Sequence, residues 1–187
     1  YQDWNTALVD KLVKDWDLDL STQVEVLSEG EMQKLLIILA LGHEPRLLVF
    51  DEPVASLDPF ARREFLKTIL DVVSARKCTI FFSTHITSDL ERVADTVAVL
   101  KNGEIDFSGG LDELKEAVKR LRLRCPNGIL PSFPVEGILA SAVRGGQALL
   151  TIRGYTEGKR AAMEQAAGTK VEVEDLNLEE IFLEMNK

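Results

Sequence analysis

Leu47-Leu48-Val49-Phe50-Asp51-Glu52-Pro53 is the stretch on which the reading of this chain turns. Four successive apolar residues, with Pro45 shortly before them and Pro53 after, are too few for a helix and suit a buried strand. The strand ends in two adjacent carboxylates. Such a pair is awkward there unless a cation or a proton-transfer task holds it. An apolar strand ending in Asp suits a carboxylate placed beside a magnesium ion, and the following Glu is placed to polarise an attacking water. The plain alternative is a solvated strand end closed by proline.

Outward from this strand the pattern alternates. Upstream, Trp4, Leu8, Leu12, Val13 and Trp16 recur at helical spacing and predict an amphipathic helix over 4–18. A second helix is announced by Leu27-Ser28-Glu29-Gly30-Glu31 and stops at Gly42, before Pro45. Downstream, the Phe65, Leu66, Ile69, Leu70, Val73 stripe predicts a helix over 59–75, followed by a strand at 79–83 and a short helix at 86–94. Strands at 96–101 and 104–108 flank Asn102-Gly103, a strong hairpin signal. This alternation is the grammar of a mainly parallel α/β sheet, whose function gathers beyond the carboxyl ends of the strands. Asp51-Glu52 and Thr84-His85 both fall at such ends. Leu111, Leu114, Val118 and Leu121 predict a charged bridging helix over 111–122, and the Pro- and Gly-containing stretch 125–134 reads as a linker or loop. Strands at 137–143, 148–153 and 170–173, with helices at 157–167 and 178–185, predict a small C-terminal α/β unit.

Other residues have two readings. Ser28-x-x-Glu31 is a capping box that satisfies orphan N–H groups. A hydroxyl, a glycine and a helix N-terminus together also make an anion site. His85 is either a structural histidine or a switch beside the strand end. Asp58-Pro59 is either an N-cap with proline at the first helical position, or part of the same site.

The order of these four motifs resembles the ATP-binding subunits of ABC transporters, over residues 1 to about 113. That resemblance implies a P-loop NTPase-type, mainly parallel sheet with an incomplete helical subdomain. It implies that Ser28 and Gly30, with Glu31, meet ATP held by the opposite subunit. Asp51 matches the residue on the magnesium side, acting through water. Glu52 matches the catalytic glutamate, Asp58 the D-loop aspartate, and His85 the switch histidine at the γ-phosphate. Residues 104–109 resemble the hairpin that closes such domains, and 176–182 are similar to the C-terminal ends of several bacterial exporter-type subunits. Glu29 stands where many members have Gly, and Glu31 where many have Gln. Two extra carboxylates beside a triphosphate are electrostatically unhelpful.

No Gly-x-x-x-x-Gly-Lys-Ser/Thr occurs in the 187 residues; the nearest decoy, Gly158-Lys159, has the wrong glycine spacing and no following hydroxyl. The expectation is therefore a C-terminal portion of a longer ATPase, lacking the phosphate-cradling loop and inactive alone. Its divisions are expected at 1–45 (helical subdomain part), 46–110 (catalytic core part), 111–124 (bridging helix) and 125–187 (small α/β domain).

Composition trims the alternatives. A formal charge of -9 repels phosphate backbones and argues against nucleic acid as a partner. Two cysteines and two histidines cannot build a disulfide framework or a histidine-rich metal centre. No apolar run approaches the ~20 residues of a membrane span. The resemblance implies ATP and Mg2+ as ligands, with a transmembrane permease and a second ATPase subunit, identical or different, as partners. It implies a cytoplasmic position on the inner face of the membrane, held through the permease. The competing readings are a DNA-repair or chromosome-type ATPase, which needs long heptad helices before the signature, and a non-catalytic remnant acting as an interaction protein.

Overall fold

The computed structural model describes residues 4–76, 78–125, 132–133 and 135–187, so most of the stretch read as a linker lies outside the described residues. The chain forms two compact units, Tyr1–Val93 and Ala94–Lys187. The stretch expected as a helical part (1–45) and the expected core part (46–110) up to Val93 fall in the first unit, and the Asn102-Gly103 hairpin in the second.

The first unit begins with α1 (Thr6–Asp15), shorter than its apolar stripe because the Asn5 side chain caps it by accepting the Leu8 N–H. A 3-10 turn (Val24–Val26) leads into α2 (Glu29–Gly42), then β1 (Leu47–Asp51), α3 (Pro59–Arg76), β2 (Thr79–Ser83) and α4 (Thr87–Val93). α1 packs beside α2, and Gly42 is needed there: an added Cβ would fall 2.7 Å from the Trp4 ring. β1 and β2 pair in parallel, with Leu47 opposite Thr79 and Asp51 opposite Ser83. Their even-numbered residues, Leu48, Phe50 and Ile80, face one core with Ile37, Leu41 and Phe65. Phe50 meets Phe65 edge-on at 5.9 Å between ring centroids. Burial of each such side chain contributes about 1.5–3 kcal/mol, which fixes the strands against α3. The odd-numbered face differs from the expectation of a strand buried on both sides: Val49 is 66% exposed and Phe81 61%.

The second unit holds a hairpin of β3 (Thr96–Lys101) and β4 (Glu104–Gly110), then α5 (Leu111–Ala117) and β5 (Val118–Arg124). Asn102 (φ +53) and Gly103 (φ +82) both take the left-handed conformation of a type I′ turn, whose twist matches the strands. The bridging helix expected to run on to 122 stops at Ala117. From Lys119 onward, Lys119, Leu121 and Leu123 are buried on one side and alternate with Arg120, Arg122 and Arg124. That two-residue period suits a strand, and pairing on both flanks secures it. β6 (Ile138–Arg144), β7 (Gln147–Arg153), α6 (Glu157–Ala167), β8 (Val171–Asp175) and α7 (Leu178–Met185) complete the unit. The sheet order is β6-β7-β5-β8, antiparallel throughout; among the described strands parallel pairing is confined to β1 and β2. Met163 of α6 seals one face against Leu121, Leu150 and Ile152. On the other face Arg120 donates to Glu180 of α7 at 2.9 Å. Among the described residues no helix is long and apolar enough to cross a membrane.

Candidate functional site

Because β1 and β2 are parallel, both end at one edge, and the register sets Asp51 beside Ser83. The Ser83 hydroxyl donates to Asp51 Oδ1 at 2.5 Å and accepts the Glu52 N–H at 3.0 Å. One serine thus ties both carboxylate residues to the neighbouring strand. The chain then turns sharply, with Glu52 at φ +46. For a residue bearing a Cβ this conformation costs about 1–3 kcal/mol and is held only by its surroundings. Bonds from Ala55 N–H to Glu52 O and Leu57 N–H to Val54 O, both 3.2 Å, hold the turn. It aims the Glu52 side chain at His85, whose Nδ1 lies 3.0 Å from Glu52 Oε1. A carboxylate only accepts, so Nδ1 carries the proton in this contact. The second oxygen, Glu52 Oε2, is buried and has no hydrogen-bond partner among the described residues.

A second cluster surrounds the start of α2. The capping box is formed: Glu31 N–H donates to Ser28 Oγ at 3.3 Å, and Glu31 Oε2 accepts the Ser28 N–H at 2.8 Å and the Ser28 hydroxyl at 2.6 Å. The hydroxyl and N–H of Ser28 hold the Glu31 carboxyl below its ordinary range. A Cβ on Gly30 would meet the Ser56 carbonyl at 3.1 Å, so the helix start packs directly on the turn before Asp58. Ser56 Oγ donates to Glu29 Oε1 at 2.7 Å. Asp58 Oδ1 accepts the Ala61 and Phe60 N–H groups at 3.0 and 2.8 Å, and these bonds lower its carboxyl below the usual value.

Asp51, Glu52 and His85 therefore form one cluster, and Ser28, Gly30 and Glu31 gather next to the turn that carries Asp58. Sequence reasoning missed Ser83 and the Glu29–Ser56 contact. Ser83 was findable, as the residue level with Asp51 once the strands are paired in parallel; Glu29 and Ser56 are joined only by the fold.

A family model described as "AAA domain, putative AbiEii toxin, Type IV TA system" matches residues 9–88. An uncharacterized ABC transporter ATP-binding protein of Nostoc sp. is 38% identical over 106 residues, covering 57% of this chain and 31% of that protein. A second, from Bacillus subtilis, is 43% identical over 89 residues, covering 48% and 30%. Over about half of its length the chain has homologues named ABC transporter ATP-binding proteins. It spans about a third of the length of these curated relatives. The metal-staphylopine import system ATP-binding protein of Staphylococcus aureus is 33% identical over 97 residues, covering 52% of this chain and 36% of that protein. Among solved structures, an ATP-binding subunit of an ABC transporter superposes with a TM-score of 0.53 at 31% identity, covering 59% of this chain and 48% of the other. A dimeric bacterial ABC transporter cassette, at 21% identity and a TM-score of 0.50, covers 56% of this chain and 46% of its own and supports the fold alone. The α/β architecture thus agrees with ABC-type P-loop ATPase domains.

Proposed function

We propose that this chain is part of the ATP-binding subunit of an ABC transporter. In this reading MgATP is hydrolysed between two ATPase subunits to drive a transmembrane permease, at the cytoplasmic face of the membrane. The observation that carries the reading is the pair of parallel strand ends that hold Asp51, Glu52 and His85 together.

Glu52 is the water-orienting carboxylate: its Oε2, buried and without a hydrogen-bond partner among the described residues, would accept a proton from a water admitted beside it. His85 shares Glu52 through Nδ1. To donate to a γ-phosphate through Nε2 at the same time, it must be imidazolium, since both nitrogens then act as donors. No cluster of three or more metal-binding side chains exists among the described residues. Asp51, oriented by Ser83, would hold Mg2+ through water, as suits an ion that keeps its hydration beside phosphates. That ion supplies charge neutralisation on the phosphates. Gly30, in the first turn of α2, offers its N–H and Ser28 its hydroxyl to the nucleotide of the opposite subunit. Glu31 acts through Ser28, whose hydroxyl it must release before a phosphate takes it. Asp58 sets the start of α3 beside them. Nucleotide affinity rests on a P-loop outside these 187 residues.

The test is Glu52→Gln in the complete subunit. Hydrolysis is expected to fall by about 10²–10⁴-fold with ATP binding retained. Turnover equal to the parent's would remove Glu52 from the role.

A further inference from the structure

Asp89 is only 5% exposed, in the first turn of α4, and its compensating cation is Arg62 in the first turn of α3. Arg62 Nε stands 3.7 Å from Asp89 Oδ2, and neither atom has a hydrogen-bond partner among the described residues. A buried carboxylate without a nearby cation is strongly unfavourable, so the charge of Arg62 is required where it is. The residues bracketing this pair give it meaning. Arg62 lies one turn beyond Asp58, whose carbonyl accepts its N–H at 2.9 Å. Asp89 donates its N–H to Ile86 O at 3.1 Å, and the Ile86 N–H donates to Thr84 Oγ1 at 3.0 Å, so α4 and the Thr84–His85–Ile86 segment turn as one piece.

The contacts close a ring. From Glu52 the backbone runs through the Val54–Leu57 turn to Asp58 and Arg62. It crosses to Asp89, returns along the start of α4 to His85, and closes at Glu52 through the 3.0 Å contact. Only two links in this ring are noncovalent crossings between side chains: Arg62–Asp89 and His85–Glu52. His85 is itself 73% exposed at the side chain, so packing does not fix it. Its backbone is held from before by Ser83, two residues upstream and bonded to Asp51 and Glu52, and from after by the seating of α4 on α3.

We propose that Arg62 and Asp89 are positioning residues for His85, holding its imidazole against Glu52. This rests on the reading of Glu52 and His85 as the hydrolytic pair. Charge compensation without a hydrogen bond makes the crossing long and adjustable. A small shift of α4 toward α3 shortens it and carries His85 along.

The chain holds two histidines, so nitrogen-15 spectra of the imidazoles in the 187-residue protein resolve His85 from His43 once one is substituted. At a pH where imidazole is neutral, the parent and Arg62→Lys should show His85 as predominantly the Nδ1–H tautomer. Asp89→Asn and Arg62→Met should move both nitrogen shifts toward tautomer averaging. Circular dichroism of each variant establishes that it is folded, and Asp89→Asn, nearly isosteric, is the arm least exposed to unfolding. In the complete subunit the same two variants should lower kcat about tenfold while KM for ATP stays within about twofold, the signature of an interaction used in the transition state. Unchanged His85 shifts in both folded variants overturn the proposal. Displaced shifts with unchanged kcat uphold the positioning role and instead overturn the hydrolytic reading of His85.

Discussion

His85 Nδ1 lies 3.0 Å from Glu52 Oε1, although 33 positions separate the two residues in the chain. The contact exists because β1 and β2 run in the same direction and stop level with one another, at Asp51 and Ser83. His85→Ala in the complete subunit should therefore lower hydrolysis by about 10²-fold or more, the scale of a lost preorganised donor to the reacting phosphate. Steady-state phosphate release measures it. A rate within twofold of the parent would return His85 to a structural role.

Gly30→Asp should block ATP-driven dimerisation. The position is tight, since a Cβ meets the Ser56 carbonyl at 3.1 Å, and Glu29 brings a carboxylate to the same turn. Gly30→Ala, carrying the crowding without the charge, is the control and should weaken dimerisation less. Light scattering in a Glu52→Gln background reads the shift in mass. Dimers forming at the parent's ATP concentration would exclude Gly30 from the trans contact.

The 187-residue chain alone should bind MgATP weakly and hydrolyse none. Backbone N–H groups of a glycine-rich loop, aided by a lysine, supply most phosphate affinity in this fold, and that pattern is absent from the sequence. Glu29, Glu31, Asp51, Glu52 and Asp58 meanwhile repel a triphosphate. Calorimetric titration, repeated with a separately expressed P-loop-bearing segment of the same subunit, is the check. Micromolar binding by the chain alone would contradict the expectation.

Acid should loosen the first unit at the starts of α2 and α3. Glu31 and Asp58 are both held below their ordinary values of 4.5 and 3.8, by the hydroxyl and N–H of Ser28 and by the Ala61 and Phe60 N–H groups respectively. A carboxyl lowered on folding stabilises the fold fully above its unfolded value, and the contribution fades as pH falls through the lowered one. Thermal unfolding between pH 7 and pH 3 should show Tm falling in the acid range. Glu31→Gln should flatten part of that fall, and an unchanged slope would mean that the capping box adds nothing titratable.

How much of this was legible depended on whether the signal was local. α6 and α7 match their predicted bounds because each carries its own start: Thr156 accepts the Lys159 N–H, and Asn177 closes a capping box with Glu180. The Asn102-Gly103 turn was legible for the same reason. β5 was misread because Leu114, Val118 and Leu121 satisfy a helical period, and what decides for a strand is pairing with β7 and β8. At the site, Asp51, Glu52 and His85 were legible as ends of apolar strands. The hold of Ser83 on both carboxylate residues, the Glu29–Ser56 bond and the Arg62–Asp89 pair depend on register and helix seating, which no sequence window contains.

The backbone of Glu52, at φ +46, favours glycine or asparagine over glutamate. An engineer ranking positions for thermal hardening would reach residue 52 early, since relieving that conformation recovers folding free energy without disturbing a core contact. Glu52→Gly should give a tougher protein that has lost its reason for the turn. On the reading of Glu52 as the water-orienting carboxylate, robustness and chemistry pull in opposite directions at this one residue, so melting temperature is the wrong score by which to rank improved versions of this chain.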